Sequence, residues 1–172
     1  MILRVLPLML ALMSGSTAVA YSQSQIAGRA TVIDGDTIEI HGQRIRLQGI
    51  DSPEARQLCY RPDGSPWRCG QVAALALSDH IATQTVHCSV LDLDRYRRLL
   101  ARCAVNGTDL GAWMVSAGWA VPYFDRTGDY AAAARYAERS RVGMWIGEFE
   151  QPRLWRRQRR CSQNVPDKAN MC

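Results

Sequence analysis

The chain has 172 residues, which predicts one domain with a core large enough to stand without metal or disulfide staples. Its composition, 47% hydrophobic and 22% charged, excludes a disordered chain. Against 16 Asp+Glu there are 21 Lys+Arg, a formal charge of +5, which favours an acidic partner: nucleic acid, an anionic polysaccharide or a membrane surface.

Residues 1–20 read as a secretory signal peptide. Arg4 supplies the positive start, Val5 to Met13 is an apolar run, and Ala18-Val19-Ala20 is a small-residue cleavage pattern. The alternative is an uncleaved anchor, but the run is shorter than the roughly 20 apolar residues of a span and holds Pro7. Cleavage after Ala20 removes one charge, so +5 becomes +4, and no later segment is apolar enough for a stable membrane span. The expected location is secreted or periplasmic, and the expected state is a monomer. All six cysteines, Cys59, Cys69, Cys88, Cys103, Cys161 and Cys172, remain in the exported chain. Six cysteines allow 15 pairings. Nearest-neighbour pairing is the expectation, since each pair then closes a short loop. Zinc is the rival, disfavoured because there is no C-x-x-C and His41, His80 and His87 lack ligand spacing.

Residues 21–28 form a polar leader, expected to be mobile. Ala30 to Ile33 is a first strand, Asp34-Gly35 a turn, and Thr37 to Ile40 a second strand. His41-Gly42 turns into a third, Arg44 to Gln48, with Ile45 and Leu47 on one face and Arg44 and Arg46 on the other. Residues 52–68 are loop-like, with Pro53, Pro62, Gly64 and Pro66. Gly70 to Thr83 reads as a helix with a mixed face of Val72, Leu75, Ala76, Asp79 and His80, reinforced by Leu77 and Ile81. Val86 to Val90 and Leu99 to Val105 pair around a loop at 94–98, and Asn106-Gly107 is a turn. Asp109 is placed to cap a helix over Leu110 to Ala117, and Asp129 one over Tyr130 to Arg141. The order matches an α+β fold: a five-stranded OB-type β-barrel with three helices, over residues 29–150. Residues 151–172 are a basic, cysteine-closed tail.

Acidic residues at a single turn usually just meet solvent. Here four motifs occur in order: V-I-D-G-D-T, R-I-R-L, G-I-D-S-P-E and D-R-Y-R-R-L-L-A. They resemble the thermonuclease (staphylococcal nuclease-like) family, whose pattern runs D-G-D-T, R-L, D-x-P-E and D-x-Y-G-R-x-L-A. The likeness covers most of residues 29–147, and Gly143-Met144-Trp145 resembles the family's closing Gly-x-Trp. It implies a Ca²⁺-dependent nuclease acting on DNA and RNA phosphodiesters and leaving 3′-phosphate ends.

Hydrolysis must bring water to a phosphate that repels it, and a hard cation with oxygen ligands lowers that repulsion. By the resemblance, Asp36 and Asp51 are metal carboxylates, Ser52 gives a backbone carbonyl, and Asp34 is an acidic companion. Glu54 orients or deprotonates the water. Arg46 and Arg98 clamp the phosphate and neutralise charge in the transition state. Arg95 and Tyr96 meet a neighbouring phosphate, and Tyr123 is a further substrate contact. The family glycine between Tyr and Arg is Arg97 here, which strains the loop or changes which arginine faces phosphate. Counting from Asp94 assigns Arg98, with Arg97 as the fallback.

Secreted members of the family carry cysteines arranged like Cys59/Cys69 and Cys88/Cys103, read as structural bridges, the second worth about 2–4 kcal/mol. The tail from Arg153 to Arg160 sets five arginines around Trp155, read as an accessory nucleic-acid surface, a solvated helix end, or Trp155 packing on the barrel. Trp67, Trp113, Trp119 and Trp145 are read as packing residues. Two other functions compete: a catalytically inactive OB-fold binder of nucleic acid or another polyanion, and a cell-envelope accessory of acidic exopolysaccharide production.

Overall fold

The structure, a computed structural model, describes residues 24–125 and 127–164. The signal peptide expected over 1–20 and Cys172 lie outside the described residues. The strands are β1 (Gln25–Arg29), β2 (Thr31–Asp34), β3 (Thr37–Ile40), β4 (Gln43–Leu47), β5 (Ile50–Asp51), β6 (Cys59–Tyr60), β7 (Pro66–Trp67), β8 (Thr85–Leu93), β9 (Leu99–Val105), β10 (Thr108–Asp109) and β11 (Val121–Pro122). The helices are α1 (Cys69–Ile81), α2 (Leu110–Ser116), α3 (Ala131–Ser140) and α4 (Pro152–Asn164), with a 3-10 turn at Gly143–Ile146.

The main sheet runs β1-β8-β9-β4-β3-β2, with β10 added on β9. Strands β2, β3, β4, β8 and β9 are the five expected from sequence. β3 and β4 pair antiparallel with Thr37 opposite Arg46, and β4 and β9 pair parallel with Arg46 opposite Leu100. The sheet curls, so that edge strand β1 returns near the end of β3: His41 Nε2 lies 3.1 Å from the Ala27 carbonyl oxygen. This is the OB-type α+β fold that the alternation predicted, with additions.

One addition corrects the leader. Residues 25–28 were expected to be mobile, yet β1 pairs with β8 from Gln25 opposite Ser89 to Arg29 opposite Thr85. The reason is tertiary: β8 is an edge without it, and a polar segment can fill an edge through its backbone alone. A second correction is the fourth helix, α4, formed by the tail. A third concerns α1, whose buried side is Cys69, Gly70, Ala73, Leu77 and Ile81, at four-residue spacing. Val72 and Leu75 of the expected mixed face are exposed, and His80 stacks on Trp113 of α2 at 3.9 Å.

Alternation works as read in β3 and β4. Ile38, Ile40, Ile45 and Leu47 enter a core completed by Leu77, Ile81, Val86, Leu110 and Met114. Asp109 caps α2 as expected, accepting from Ala112 N at 2.8 Å. Asp129 does not cap α3. It pairs with Arg102, while Asp125 accepts from the Asp129 and Tyr130 amides.

A smaller core packs Cys59, Cys69, Val121 and Met144 with Trp67, Trp145 and Phe149. The Cys59–Cys69 bridge lies inside it, with Cα atoms 5.6 Å apart. Cys88 and Cys103 face each other across β8 and β9 and form the second bridge. Cys161 is also disulfide-bonded, so no described cysteine is left as a thiolate ligand for zinc. No helix among the described residues is long and apolar enough to cross a membrane.

Candidate functional site

The sheet register builds the site. The β2–β3 turn needs Gly35, because a Cβ there would sit 2.0 Å from Ser52 Oγ. That close approach brings the turn bearing Asp36 against the segment after β5, which ends in Asp51. β5 is held in turn by β11, with Val121 opposite Asp51. Asp36 and Asp51 are both almost fully buried, 4% and 1% exposed.

A buried carboxylate must be paired or hydrogen-bonded, and each of these is. Asp36 Oδ1 accepts from Thr37 Oγ1 at 3.0 Å and from Arg46 Nη1, and its Oδ2 accepts from Ser52 N at 3.2 Å. Arg46 Nη2 donates to Asp51 Oδ1 at 3.1 Å and to the Ile50 carbonyl at 3.2 Å. One guanidinium therefore joins both carboxylates. Burial opposes its charge, but Asp36 and Asp51 outweigh this and raise its pKa above arginine's usual value. Asp34 accepts from Asp36 N at 3.0 Å, and its pKa is pushed up to about 6, first by burial and then by the charge of Asp36.

Asp51 has a second cationic partner. Arg156 of α4 lies end-on to it, Nη1 to Oδ1 at 2.9 Å and Nη2 to Oδ2 at 2.8 Å. The same Nη1 donates to Glu54 Oε1 at 2.9 Å. Burial works against the Arg156 charge, and the hydrogen bonds it donates to Asp51 and Glu54 more than compensate, so its pKa is raised. The sequence assigned the tail to an accessory surface or to solvent. Arg156 does neither, because it is bound to two of the predicted site residues.

The path of the chain explains that placement. Gln57, fully buried, accepts from Glu54 N at 3.3 Å and donates to the Glu150 carbonyl at 2.7 Å. Tyr60 and Glu148 exchange backbone hydrogen bonds at 2.8 and 2.9 Å. Residues 148–150 are thus fastened to the loop bearing Glu54, and α4 starts over the site. Gly70 fits under the same loop, where a Cβ would meet the Glu54 carbonyl oxygen at 1.9 Å. Gln57 and Gly70 were not singled out from sequence, since neither residue type signals a site without knowledge of its neighbours.

Arg98 reaches the cluster from the β8–β9 hairpin. Its Nε and Nη2 donate to Asp94 Oδ2, each at 2.7 Å, and its Nη1 lies 3.4 Å from Thr37 Oγ1. Asp94 Oδ1 also accepts from Tyr96 N and Arg98 N, at 2.8 and 3.0 Å. Burial raises the Asp94 pKa, but these donors prevail and hold it below the ordinary value. Arg97 occupies the left-handed region at φ 63° and is exposed, so the sequence departure places an arginine where backbone geometry favours glycine. Arg98 rather than Arg97 is the one joined to the site.

Arg95 and Tyr96 stand exposed at the hairpin tip, with the guanidinium carbons of Arg95 and Arg98 at 5.0 and 5.6 Å from the Tyr96 ring. Tyr123 donates its backbone N–H to the Gly49 carbonyl and meets the Phe124 ring edge-on at 4.4 Å. All these residues line one open cleft of about 1310 Å³ whose rim includes Arg44, Arg102 and Arg160. The structure therefore brings Asp36, Ser52, Arg46, Glu54, Arg95, Tyr96, Arg98 and Tyr123 to one cleft, with Asp51 beneath it.

The donor set suits a hard cation: two buried carboxylates and the backbone at Ser52 are oxygen donors of the kind Ca²⁺ takes. Both carboxylates already neutralise cationic groups, the guanidiniums of Arg46 and Arg156. No group of three or more His, Cys, Asp or Glu among the described residues is arranged to hold a metal ion.

Comparison with known proteins follows the same lines. Residues 44–147 match the family model described as staphylococcal nuclease homologue. A succinoglycan biosynthesis protein, ExoI, of Rhizobium meliloti is 39% identical over 128 residues, covering 73% of this chain and 67% of that protein. An uncharacterized endonuclease of Escherichia coli O157:H7 is 30% identical over 77% of this chain and 86% of its own length. A probable endonuclease, lcl3, of Sclerotinia sclerotiorum is 27% identical over 81% of this chain and 57% of its own. With its family model, ordered motifs and OB-type sheet in agreement, the chain belongs to the staphylococcal nuclease homologue family.

Proposed function

We propose that the protein is an exported, Ca²⁺-dependent nuclease that hydrolyses phosphodiester bonds of DNA, with RNA as a second substrate. The observation that carries this reading is Glu54 and Asp51 sharing one guanidinium at the floor of an arginine-lined cleft, with Arg98 alongside. Asp36, Asp51 and the Ser52 carbonyl would hold Ca²⁺, which as a Lewis acid offsets the charge of the phosphate. Glu54 accepts the proton of the attacking water. Arg98 donates to phosphate oxygens, its guanidinium oriented by Asp94. Arg46 fixes the two buried carboxylates relative to each other, and the hairpin residues Arg95 and Tyr96 with Tyr123 hold the chain on either side of the scissile bond. Disulfides among the described residues support an oxidising compartment, secreted or periplasmic.

The test is digestion of plasmid DNA and of RNA by the oxidised protein, with Ca²⁺ and with chelator. Cleavage that requires Ca²⁺ is expected, and E54Q is expected to lose it by a factor of about 10²–10⁴ while still binding DNA. Absence of Ca²⁺-dependent cleavage would overturn the reading.

The succinoglycan biosynthesis relative favours a second reading, an accessory of acidic exopolysaccharide production. An arginine-lined cleft accepts carboxylated or phosphorylated sugars as readily as nucleic acid. Tight binding of an acidic polysaccharide, with no cleavage of either nucleic acid, would favour it.

A further inference from the structure

Arg156 is the least expected member of the site. It approaches Asp51, which sits at the end of β5, from a helix 105 residues later in the chain. Its two amino nitrogens cover both oxygens of Asp51, and one of them also covers Glu54 Oε1. Arg46 already holds the other side of Asp51 and one oxygen of Asp36. Every Asp51 oxygen is therefore taken by a guanidinium. A divalent cation bound to Asp51 and an arginine end-on to the same carboxylate compete, because three of its roughly four acceptor sites are already taken and both partners are positive.

The two arginines differ in how they are held. Arg46 lies on β4, inside the sheet, with its side chain 15% exposed and a third hydrogen bond to the Ile50 carbonyl. Arg156 lies on α4 and lines the cleft, with its side chain 26% exposed. Around it Arg153, Leu154, Arg157, Arg159 and Arg160 are exposed, and Pro152 is the only buried residue of α4 from 152 to 161. Trp155, Arg156 and Cys161 of the helix are half-buried. Its contacts with Asp51 and Glu54 are ion pairs.

We propose that α4 is a built-in latch, in which Arg156 serves as the counter-ion of Asp51 and Glu54 until a divalent cation displaces it. Cation binding then lifts the helix and frees Glu54 for water. The latch rests on the calcium reading above, and it adds that cation affinity is set by competition with this chain's own arginine. Without the latch Asp51 would be a buried charge with only Arg46 beside it, a costly arrangement when no metal is bound.

The experiment titrates Ca²⁺ calorimetrically into the full oxidised protein, its R156M variant and its R156K variant, with hydrogen exchange of residues 152–164 followed in parallel. Thermal unfolding establishes that each variant is folded. The expected result is about tenfold tighter Ca²⁺ binding by R156M and an intermediate gain by R156K, whose single ammonium cannot cover both oxygens. Amide protection of α4 in the unsubstituted protein is expected to fall when Ca²⁺ is added. Equal, measurable affinities in all three proteins, or weaker binding by R156M, would overturn the latch and leave the calcium reading standing. An α4 whose protection ignores Ca²⁺ at saturation would also overturn it. If none of the three binds Ca²⁺, the calcium reading fails and the latch falls with it.

Discussion

At the scale of single residues, the site is organised around carboxylates that cannot be left unpaired. Asp36 and Asp51 are buried, and their oxygens meet Arg46, Arg156, Thr37 and Ser52. Asp94 does a similar service outside the core by collecting the amides of Tyr96 and Arg98 together with the Arg98 side chain. Its folded pKa lies below the ordinary 3.8. The stabilisation it gives is therefore present above about pH 4 and is lost as pH falls through the lower, folded value. Exchange of the amides at 96 and 98, compared between pH 5 and pH 3, should show the hairpin loosening in acid, beyond the intrinsic pH dependence of exchange. Arg97, next to this hairpin, carries left-handed strain at φ 63°. R97G should raise stability by about 0.5–1 kcal/mol, the relief being partly offset by the freer unfolded chain. Urea denaturation measures the change.

At the scale of elements, position is conveyed by backbone contacts. The loop from Glu54 to Gln57 is gripped on two sides, by Gly70 of α1 below and by the Glu150 carbonyl through Gln57. Adding a methyl group at Gly70 sets a Cβ against the Glu54 carbonyl oxygen, and flexible side chains cannot absorb that contact. G70A should cost about 1–3 kcal/mol. It should also lower kcat more than it raises KM, because Glu54 moves while the arginine-lined rim does not. Thermal melts and steady-state kinetics on DNA would read the two effects separately. The hairpin Asp94–Arg98, the turn at Gly35 and the β5–β11 pair are separate elements that register across the sheet brings to one place: Thr37, Arg46 and Leu100 lie level on three neighbouring strands.

At the scale of the whole molecule, the second core decides where α4 starts. Met144, Trp145 and Phe149 pack with the Cys59–Cys69 bridge, and Tyr60 ties residue 148 to the same loop. Replacing Cys59 and Cys69 together by alanine should destabilise the protein by about 2–4 kcal/mol, and it should loosen α4 at a distance. Both are measurable by denaturation and hydrogen exchange. The cleft itself predicts a salt dependence. If several arginines neutralise phosphates, affinity for DNA should fall steeply between 50 and 200 mM salt, and R95A should reduce the logarithmic slope by about 1.

The sequence by itself determined the five main strands and named residues that the fold gathers in one cleft. Alternation of Ile38, Ile40, Ile45 and Leu47, the turn at Asn106-Gly107 and the Asp109 cap are local patterns, read from residues a few positions apart. Asp36, Asp51, Glu54 and Arg98 were legible because they stand in ordered motifs, and Cys59/Cys69 and Cys88/Cys103 because each pair closes a short loop. Only the tertiary structure decided the rest. Residues 25–29 are polar and carry no signal of order, and they become a strand because β8 offers an edge. Val72 and Leu75 fit a helical apolar stripe, yet the sheet takes the face of Ala73, Leu77 and Ile81. Among five tail arginines, nothing local distinguishes Arg156; what selects it is the path from the Cys59–Cys69 core through Glu148 and Glu150, which ends with that one side chain over Asp51 and Glu54. Local patterns depend on neighbours in sequence, whereas the pairing of two charges across 105 residues depends on where the whole chain has travelled.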